Sequence, residues 1–233
     1  GYYDVQKKVG KDEIKNIPLF SGERNLIKQS LNMKINSDET IAAEKTVFTY
    51  GMYDQAQRFW LLYTPPELIE EGIKERLQDI SIGAKLDGYD IKNLETLNIP
   101  VVLSYAFKGP EYLTVAGPIR IMPQLAALDA SLVAKDKRKY AIDFAVLDVK
   151  ETIFEIEFPS NLTIKYLPDS VSEDSPWLKF SVEYRCKDNK LYFRQKTELR
   201  KTGVSESEYA DFKNFFEGLA KKIKQRIVLE KPK

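Results

Sequence analysis

The sequence contains no histidine and only one cysteine, Cys186, among its 233 residues. Histidine is the usual general base near neutral pH and the commonest metal ligand. Without it, this chain alone cannot assemble a Ser-His-Asp or Cys-His catalytic pair. A zinc site would have to be built almost entirely from carboxylates, because a single thiol is the only other strong ligand. We therefore predict no catalytic, cofactor-binding or metal-ligating residue and interpret the chain as non-enzymatic.

Long apolar runs and a surplus of charge are also absent. No run approaches the roughly 20 apolar residues that a membrane-spanning helix needs, and the first residues lack the basic-then-apolar pattern of a signal peptide. The 36 basic residues are balanced by 35 acidic ones, so no overall field attracts nucleic acid. A single cysteine excludes a disulfide within the chain but leaves the compartment open. We predict neither a membrane span nor a nucleic-acid partner.

The residues that are present predict an α+β fold of mostly antiparallel strands. Hydrophobic residues make up 43% and charged residues 30% of the chain, which is typical of a globular protein with a core. Apolar and polar residues alternate strictly over 178–184 and 191–199, which predicts a hairpin with one solvated face. Residues 101–107 and 112–116 flank a Gly-Pro turn and predict a second hairpin. Further predicted strands cover 31–35, 41–50, 151–158, 162–167 and 227–229.

Two capping patterns predict amphipathic helices. Thr64-Pro65-Pro66-Glu67 begins a helix over about 65–80, and Ser205-Glu206-Ser207-Glu208 begins another over about 206–224. We expect sandwich-like sheets, each covered by one of these helices. The apolar stripes of the two helices are Ile69, Ile73, Leu77 and Ile80, and Tyr209, Phe212, Phe216, Leu219 and Ile223.

These patterns divide the chain into three parts. Residues 1–24 are polar and irregular, which indicates a leader or linker. A β-rich unit with one helix covers 25–135, and a second β-rich unit with a C-terminal helix covers 136–233. Both units end with strands, a capping pattern, a helix and a short apolar run. This similarity fits a duplication, and it equally fits the common way of covering a sheet with a helix.

Five segments, taken in order, carry a resemblance to a known family. They are Pro100–Phe107, Arg138–Phe144, Ile156–Pro159, Tyr166–Pro168, and Tyr209–Phe212 through Ile227–Leu229. Together they resemble the C-terminal region of bacterial exported proteins. Those proteins consist of an N-terminal β-rich domain of unknown function, a transglutaminase-like core and a β-rich tail. The resemblance covers Leu26 to the end of the chain.

The resemblance implies a function without catalysis. The cores of such proteins resemble papain-like and transglutaminase enzymes with a Cys-His-Asp triad, and no residue of that triad carries over. Cys186 alternates with Tyr184 on the apolar side of its strand, which predicts a buried, inert thiol. The chain would be an accessory region that docks on the transglutaminase-like, protease-like core of the same protein or on another envelope protein. The implied location is periplasmic, cell-surface or secreted.

Two aromatic residues indicate an alternative function. Trp177 lies opposite Leu178 and Tyr192 opposite Leu191 in their strands, which places both on the solvated side of the sheet unless the last helix or another domain covers them. Exposed aromatic rings stack on sugars and anchor protein interfaces. The alternative is therefore an envelope carbohydrate- or peptide-binding module, with a glycan as its partner.

Three carboxylates allow a third interpretation. Glu151, Glu155 and Glu157 share one face of a predicted strand and could form an acidic sugar or cation site, as in a carboxylate-based hydrolase. They could equally form the solvated outer face opposite Phe154 and Ile156. We favour the solvated face.

Overall fold

Strands dominate the structure, a computed structural model that describes residues 3–8, 11–16 and 19–231. Within these ranges the chain forms sixteen strands and three α-helices, mostly in antiparallel sheets, which confirms the predicted α+β class. The strands are β1 (Tyr3–Lys8), β2 (Lys11–Asn16), β3 (Leu26–Ile35), β4 (Ile41–Thr49), β5 (Lys85–Lys92), β6 (Val102–Gly109), β7 (Thr114–Ala116), β8 (Ile119–Ile121), β9 (Ile142–Asp143), β10 (Val149–Glu157), β11 (Thr163–Tyr166), β12 (Val171–Asp174), β13 (Leu178–Lys187), β14 (Lys190–Leu199), β15 (Gly203–Val204) and β16 (Val228–Glu230).

Eight of these strands form one sheet in the order β12-β13-β14-β10-β3-β4-β6-β5. All neighbours are antiparallel except β10 and β3, which run parallel, with Thr152 opposite Gln29 and Phe154 opposite Leu31. Four strands come from each half of the chain. The sheet therefore continues across the boundary predicted between 25–135 and 136–233, and that division into units stays a prediction.

One face of the eight-stranded sheet is apolar and covered. Its side chains share a single core with α2 (Pro66–Gln78) and α3 (Tyr209–Lys222). Both helices were predicted, and their buried residues are those of the predicted stripes. The opposite face, here called the outer face, carries mostly charged and polar side chains. The covered face contributes Leu31, Met33, Leu103, Tyr105, Phe107, Ile156, Phe180, Val182, Leu191 and Phe193 to the core.

The two predicted helix starts differ in the structure. Ser205 and Glu208 make the two reciprocal hydrogen bonds of the expected capping box, from Glu208 N to Ser205 Oγ (3.3 Å) and from Ser205 N to Glu208 Oε2 (3.1 Å), but the box lies in the turn before α3, which begins at Tyr209 and not at 206. A hydrogen bond from Lys201 and those from Ser205 lower the pKa of Glu208 to about 2. Thr64 makes no such cap, because α2 begins after Pro65 without a side-chain cap. In this motif the prolines favour the start of the helix instead. The first N–H groups of a helix have no partner within it, so the missing N–H of a proline costs nothing there.

A third helix, α1 (Met52–Tyr63), was not predicted. It begins after Gly51, which offers no side chain for capping. Only Arg58 and Leu61 are buried, so the helix lacks the inward apolar stripe by which sequence reasoning finds helices.

The hairpin predicted over 101–116 is wrong. Strand β6 pairs with β4 and β5, whereas β7 pairs with β8 in a second sheet of order β11-β16-β8-β7. This smaller sheet also combines both halves of the chain. Arg120 of β8 ties it to the turn between β3 and β4, since its guanidinium donates to both carboxylate oxygens of Glu39 (2.6 and 2.8 Å) and lowers the pKa of that carboxyl.

Part of the predicted leader 1–24 has regular structure. Strands β1 and β2 pair antiparallel, with Val5 opposite Ile14, whereas the sequence had indicated an irregular segment. Positions 1–2, 9–10 and 17–18 of that prediction lie outside the described residues. Residues 22–24 form a short 3₁₀ helix, and a second 3₁₀ helix covers Ala130–Val133.

Polar anchors hold α1 against the loop between β5 and β6. The guanidinium of Arg58, only 5% exposed, pairs with Asp54 Oδ2 (2.6 Å). It also donates to four carbonyl oxygens of residues 93–99, at 2.5–3.1 Å. Asp54 Oδ1 accepts a hydrogen bond from Val101 N (2.7 Å) at the start of β6. This network saturates a buried charge with partners, the condition under which such a charge is tolerated.

Lys45 is the one basic residue that β4 places on the covered face. It lies opposite Leu31 of β3 and Tyr105 of β6 and lines a cavity of about 150 Å³ together with Asp79. Burial lowers the pKa of Lys45, and the nearby positive charge of Arg76 lowers it further. The folded state therefore disfavours the charged form of this lysine.

Gly51 is the residue whose replacement should disturb α1 most. Its backbone has φ +59°, and a Cβ there would overlap the carbonyl oxygen of Arg24. We expect Gly51→Ala to lower the free energy of unfolding by about 2 kcal/mol or more, measured in urea. Gly218→Ala is the control, because Gly218 lies within α3 with open space around it and should gain about 0.5–1 kcal/mol. Equal effects at the two sites would contradict this account of Gly51.

Removing the Arg58 guanidinium should leave Asp54 and four carbonyls without their partner. We expect Arg58→Met to cost about 3–5 kcal/mol of unfolding free energy. The control is Arg76→Met, since the guanidinium of Arg76 lies over the Trp60 ring at 4.7 Å and such a contact contributes about 0.5–1 kcal/mol. A similar small loss in both variants would show that the Arg58 network does not anchor α1.

Lys45→Met should stabilise the protein in a pH-dependent manner. The pKa of Lys45 in the folded state lies below the ordinary value of 10.5. The free-energy cost of burying its charged amine is therefore fully present at neutral pH and disappears as the pH rises through the folded-state pKa toward 10.5. We expect a gain on the order of 1 kcal/mol at pH 7, or about 2–4 °C in Tm, that shrinks by pH 10. Lys34→Met, on the exposed side of β3, should show no such change with pH. A gain for Lys45→Met that is equal at both pH values would contradict the burial of its charge.

Candidate functional site

Trp177 does not lie on a solvated surface, and that prediction is wrong. The side chain is 9% exposed, and its ring packs on Phe212 at 5.5 Å and Phe215 at 6.0 Å, both from α3. Trp177 immediately precedes the first residue of β13. The ring therefore packs against the helix, which was the other arrangement considered for it.

Tyr192 lies where the alternation predicted. It is 41% exposed on the outer face of β14, between Arg185 of β13 and Glu155 of β10. The structure thus separates the two aromatic residues proposed as one binding surface, because Trp177 belongs to the core of the covered face. A binding role for Tyr192 stays a prediction.

Cys186 is exposed, so its predicted burial is wrong. It does share the side of β13 that carries Tyr184, but it lies next to the turn, opposite Leu191 and past Tyr184, the last buried residue of that strand. Partial burial and the nearby Asp188 raise the pKa of its thiol. A raised pKa leaves little thiolate at neutral pH, which agrees with an unreactive cysteine.

The three carboxylates of β10 make ion pairs across the outer face. Glu155 accepts a hydrogen bond from Lys190 Nζ (2.7 Å), Glu157 lies 3.8 Å from the same amine, and Glu151 pairs with Arg194 (2.5 Å). These pairs are those expected between adjacent strands of a solvated face. Among the described residues, no group of three or more Asp, Glu or Cys side chains is arranged to hold a metal ion.

The least expected surface of the molecule is the outward side of α1. Met52, Ala56, Phe59 and Tyr63 recur at helical spacing and are exposed, and Leu62 lies beside them. Phe59 is 67% and Tyr63 74% exposed, and their rings contact each other at a centroid distance of 4.9 Å. We call these five residues the α1 surface. Their spacing of four, three and four residues was the sequence signal that could have revealed both the helix and its apolar stripe.

The α1 surface is also free of charge. Asp54 and Arg58 are the only charged residues of α1, and both turn inward to pair with each other and with residues 93–101. The outward side chains of the helix are thus apolar, aromatic or, at Gln55, an uncharged amide. Burying this surface would remove no charge from water, and contiguous exposed apolar groups of this kind mark interaction sites.

None of the helices in the part of the chain that the structure describes is both long and apolar enough to cross a bilayer.

Comparisons with known proteins add a partial match. Residues 119–229 match the family described as "Domain of Unknown Function with solved-structure structure (DUF3858)". No curated protein matches the chain. Among solved structures, the chain is similar to a crystal structure described as "a putative protease from Parabacteroides distasonis", with 15% sequence identity and a TM-score of 0.41. That similarity covers 50% of this chain and 24% of the other. The chain therefore contains a region similar to this domain of unknown function, extending from β8 to β16.

Proposed function

We propose that this chain is a non-catalytic accessory region that docks through the α1 surface on another domain of a longer exported, transglutaminase-like protein. The observation that carries the proposal is the exposed pair Phe59 and Tyr63 on an uncharged helix face. Aromatic side chains clustered at the centre of a desolvated patch supply much of the binding energy of protein interfaces.

The fixed position of α1 supports the same function. Arg58 and Asp54 bind the helix to the loop between β5 and β6 through hydrogen bonds of 2.5–3.1 Å. The guanidinium of Arg76 lies over the Trp60 ring at 4.7 Å, and the ring lies beside Gly72 of α2, where an added Cβ would come within 3.3 Å of it. A helix held from two sides presents its outward aromatic residues without having to order them on binding, which lowers the entropic cost of docking.

The non-catalytic part of the proposal rests on the sequence. The chain has no histidine, and the one cysteine has a raised pKa. The identity of the docking partner follows from the resemblance of the chain to the tail of exported transglutaminase-like proteins, which also implies the periplasmic or cell-surface location.

Hydroxyl-radical footprinting tests the proposed interface directly. The chain alone and the longest natural polypeptide that contains it are oxidised in parallel, and the labelling of each aromatic side chain is quantified by mass spectrometry. We expect labelling of Phe59 and Tyr63 to fall severalfold in the longer protein, because docking shields them from solvent. Tyr140, which is also 74% exposed but lies far along the chain from α1, serves as the internal reference and should be labelled equally.

A variant separates docking from general stability. Phe59→Ser combined with Tyr63→Ser removes the exposed rings and should leave the Tm of the isolated chain within about 1–2 °C, as is usual for surface substitutions. In the longer protein the same changes should expose the interface and increase labelling of the remaining α1 surface. Equal labelling of Phe59 and Tyr63 in both proteins, or a natural polypeptide without a further domain, would overturn the proposal.

A further inference from the structure

A cleft of about 500 Å³ lies on the covered side of the sheet, where α1, α3 and residues 127–132 leave part of the sheet open. Its floor is formed by β3, β10 and β14. Its volume falls within the range of about 300–1,000 Å³ that is common for small-molecule sites. The walls are apolar and consist of Leu128, Leu132, Phe144, Leu178, Leu199 and Phe216.

The floor of the cleft is polar, although it belongs to the apolar face of the sheet. Gln29, Thr152 and Gln195 stand side by side on β3, β10 and β14, with Thr152 opposite both others. Thr197 follows on β14 in the same alternation. Polar side chains on a covered face cost free energy unless they find hydrogen-bond partners.

Among these four side chains, only Gln195 has such partners in the part of the chain that the structure describes. Its amide accepts from Ala127 N (2.9 Å) and donates to Ala127 O (2.8 Å), which fixes the segment that forms one wall. Gln29, Thr152 and Thr197 are half-buried, and in residues 19–231 their side chains make no hydrogen bond to another residue. One amide and two hydroxyls therefore point into the cleft, and each can both donate and accept.

The charges at the rim compensate one another. Lys150 Nζ lies 3.7 Å from Asp148 Oδ2, and Asp148 also accepts a hydrogen bond from the hydroxyl of Tyr53. Asp129 lies near the same lysine. Lys150 stands beside Thr152 on the same face of β10 and opposite Thr197, so the positive charge that Asp148 and Asp129 compensate belongs to the floor itself. Glu151, which also lines the cleft, is paired with Arg194. An ionic ligand would therefore have to compete with charges that already have partners. These features favour an uncharged ligand.

The backbone of the floor is already paired. Strand β10 pairs with β3 and β14, β3 also pairs with β4, and β14 also pairs with β13. A peptide that binds by strand addition needs a free sheet edge, and this floor offers none. Recognition must therefore come from the side chains of Gln29, Thr152 and Thr197.

From these features we infer that the cleft binds a neutral carbohydrate of one or two sugar units. The hydroxyls of such a ligand match the amide and hydroxyl groups of the floor, and its C–H faces match the apolar walls. This inference is independent of the α1 surface and of any docking partner.

Methyl NMR of the complete chain tests the inference. The probes are N-acetylglucosamine, chitobiose, maltose and cellobiose, titrated into the millimolar range. We expect at least one sugar to produce saturable shifts of the methyl signals of Thr152, Leu128 and Leu132. The methyl of Thr46, on the outer face and paired with Ser104 Oγ (3.1 Å), should stay unchanged. A tripeptide of alanine is titrated as the competing ligand class.

Isosteric variants test the role of the floor. Thr152→Val and Thr197→Val keep side-chain shape and strand preference while removing one hydroxyl each, and either should weaken sugar binding about tenfold. Thr46→Val should bind as the parent chain does. Lack of saturation with all four sugars, unchanged affinity in both floor variants, or saturable binding of the tripeptide alone would each overturn the inference.

Discussion

The parallel pairing of β3 with β10 is the contact on which the rest of the fold depends. Asn25, just before β3, marks its start: Asn25 O accepts from Val149 N (3.0 Å), and Asn25 Nδ2 donates to Leu147 O (3.0 Å). The same side chain accepts from Met52 N (3.1 Å) at the beginning of α1. One residue thus sets the register between the two halves and the position of α1. That register brings Gln29, Thr152 and Gln195 into one row.

The sequence correctly predicted those elements whose signals lie within a short stretch of the chain. The β13–β14 hairpin and the helices α2 and α3 follow from alternation, turn residues and apolar stripes within short windows. The partners of β3 could not be predicted in this way, because β10 lies more than a hundred residues along the chain. The wrong hairpin has a similar cause. Gly109 lies in a strand where a Cβ would approach Ser81 Oγ to 2.5 Å, so this glycine serves a tertiary contact rather than a tight turn.

Alternation also tells which side of a strand a residue faces, but not how far the cover on that side extends. Cys186 faces the apolar side and is exposed because the cover ends before the turn. Gln29, Thr152 and Thr197 face the same side, where the cover is incomplete over the middle of the sheet. Polar residues in an apolar register were the available signal for the cleft. That signal acquires meaning only when three strands from distant parts of the chain are known to be neighbours.

Helix α1 reverses the usual orientation of an amphipathic helix, in which the apolar side faces the core and the polar side faces solvent. Its inward contacts are largely ionic and polar, through Asp54 and Arg58, while its aromatic residues face outward. A helix that was merely packed on the core would gain more by turning Phe59 and Tyr63 inward, since each large apolar side chain contributes about 1.5–3 kcal/mol when buried. The Arg58 network supplies instead a rigid attachment that leaves the apolar side unused by this fold. The hydrophobic free energy of these rings therefore remains available to a second surface, and this is the physical basis on which we propose docking through α1.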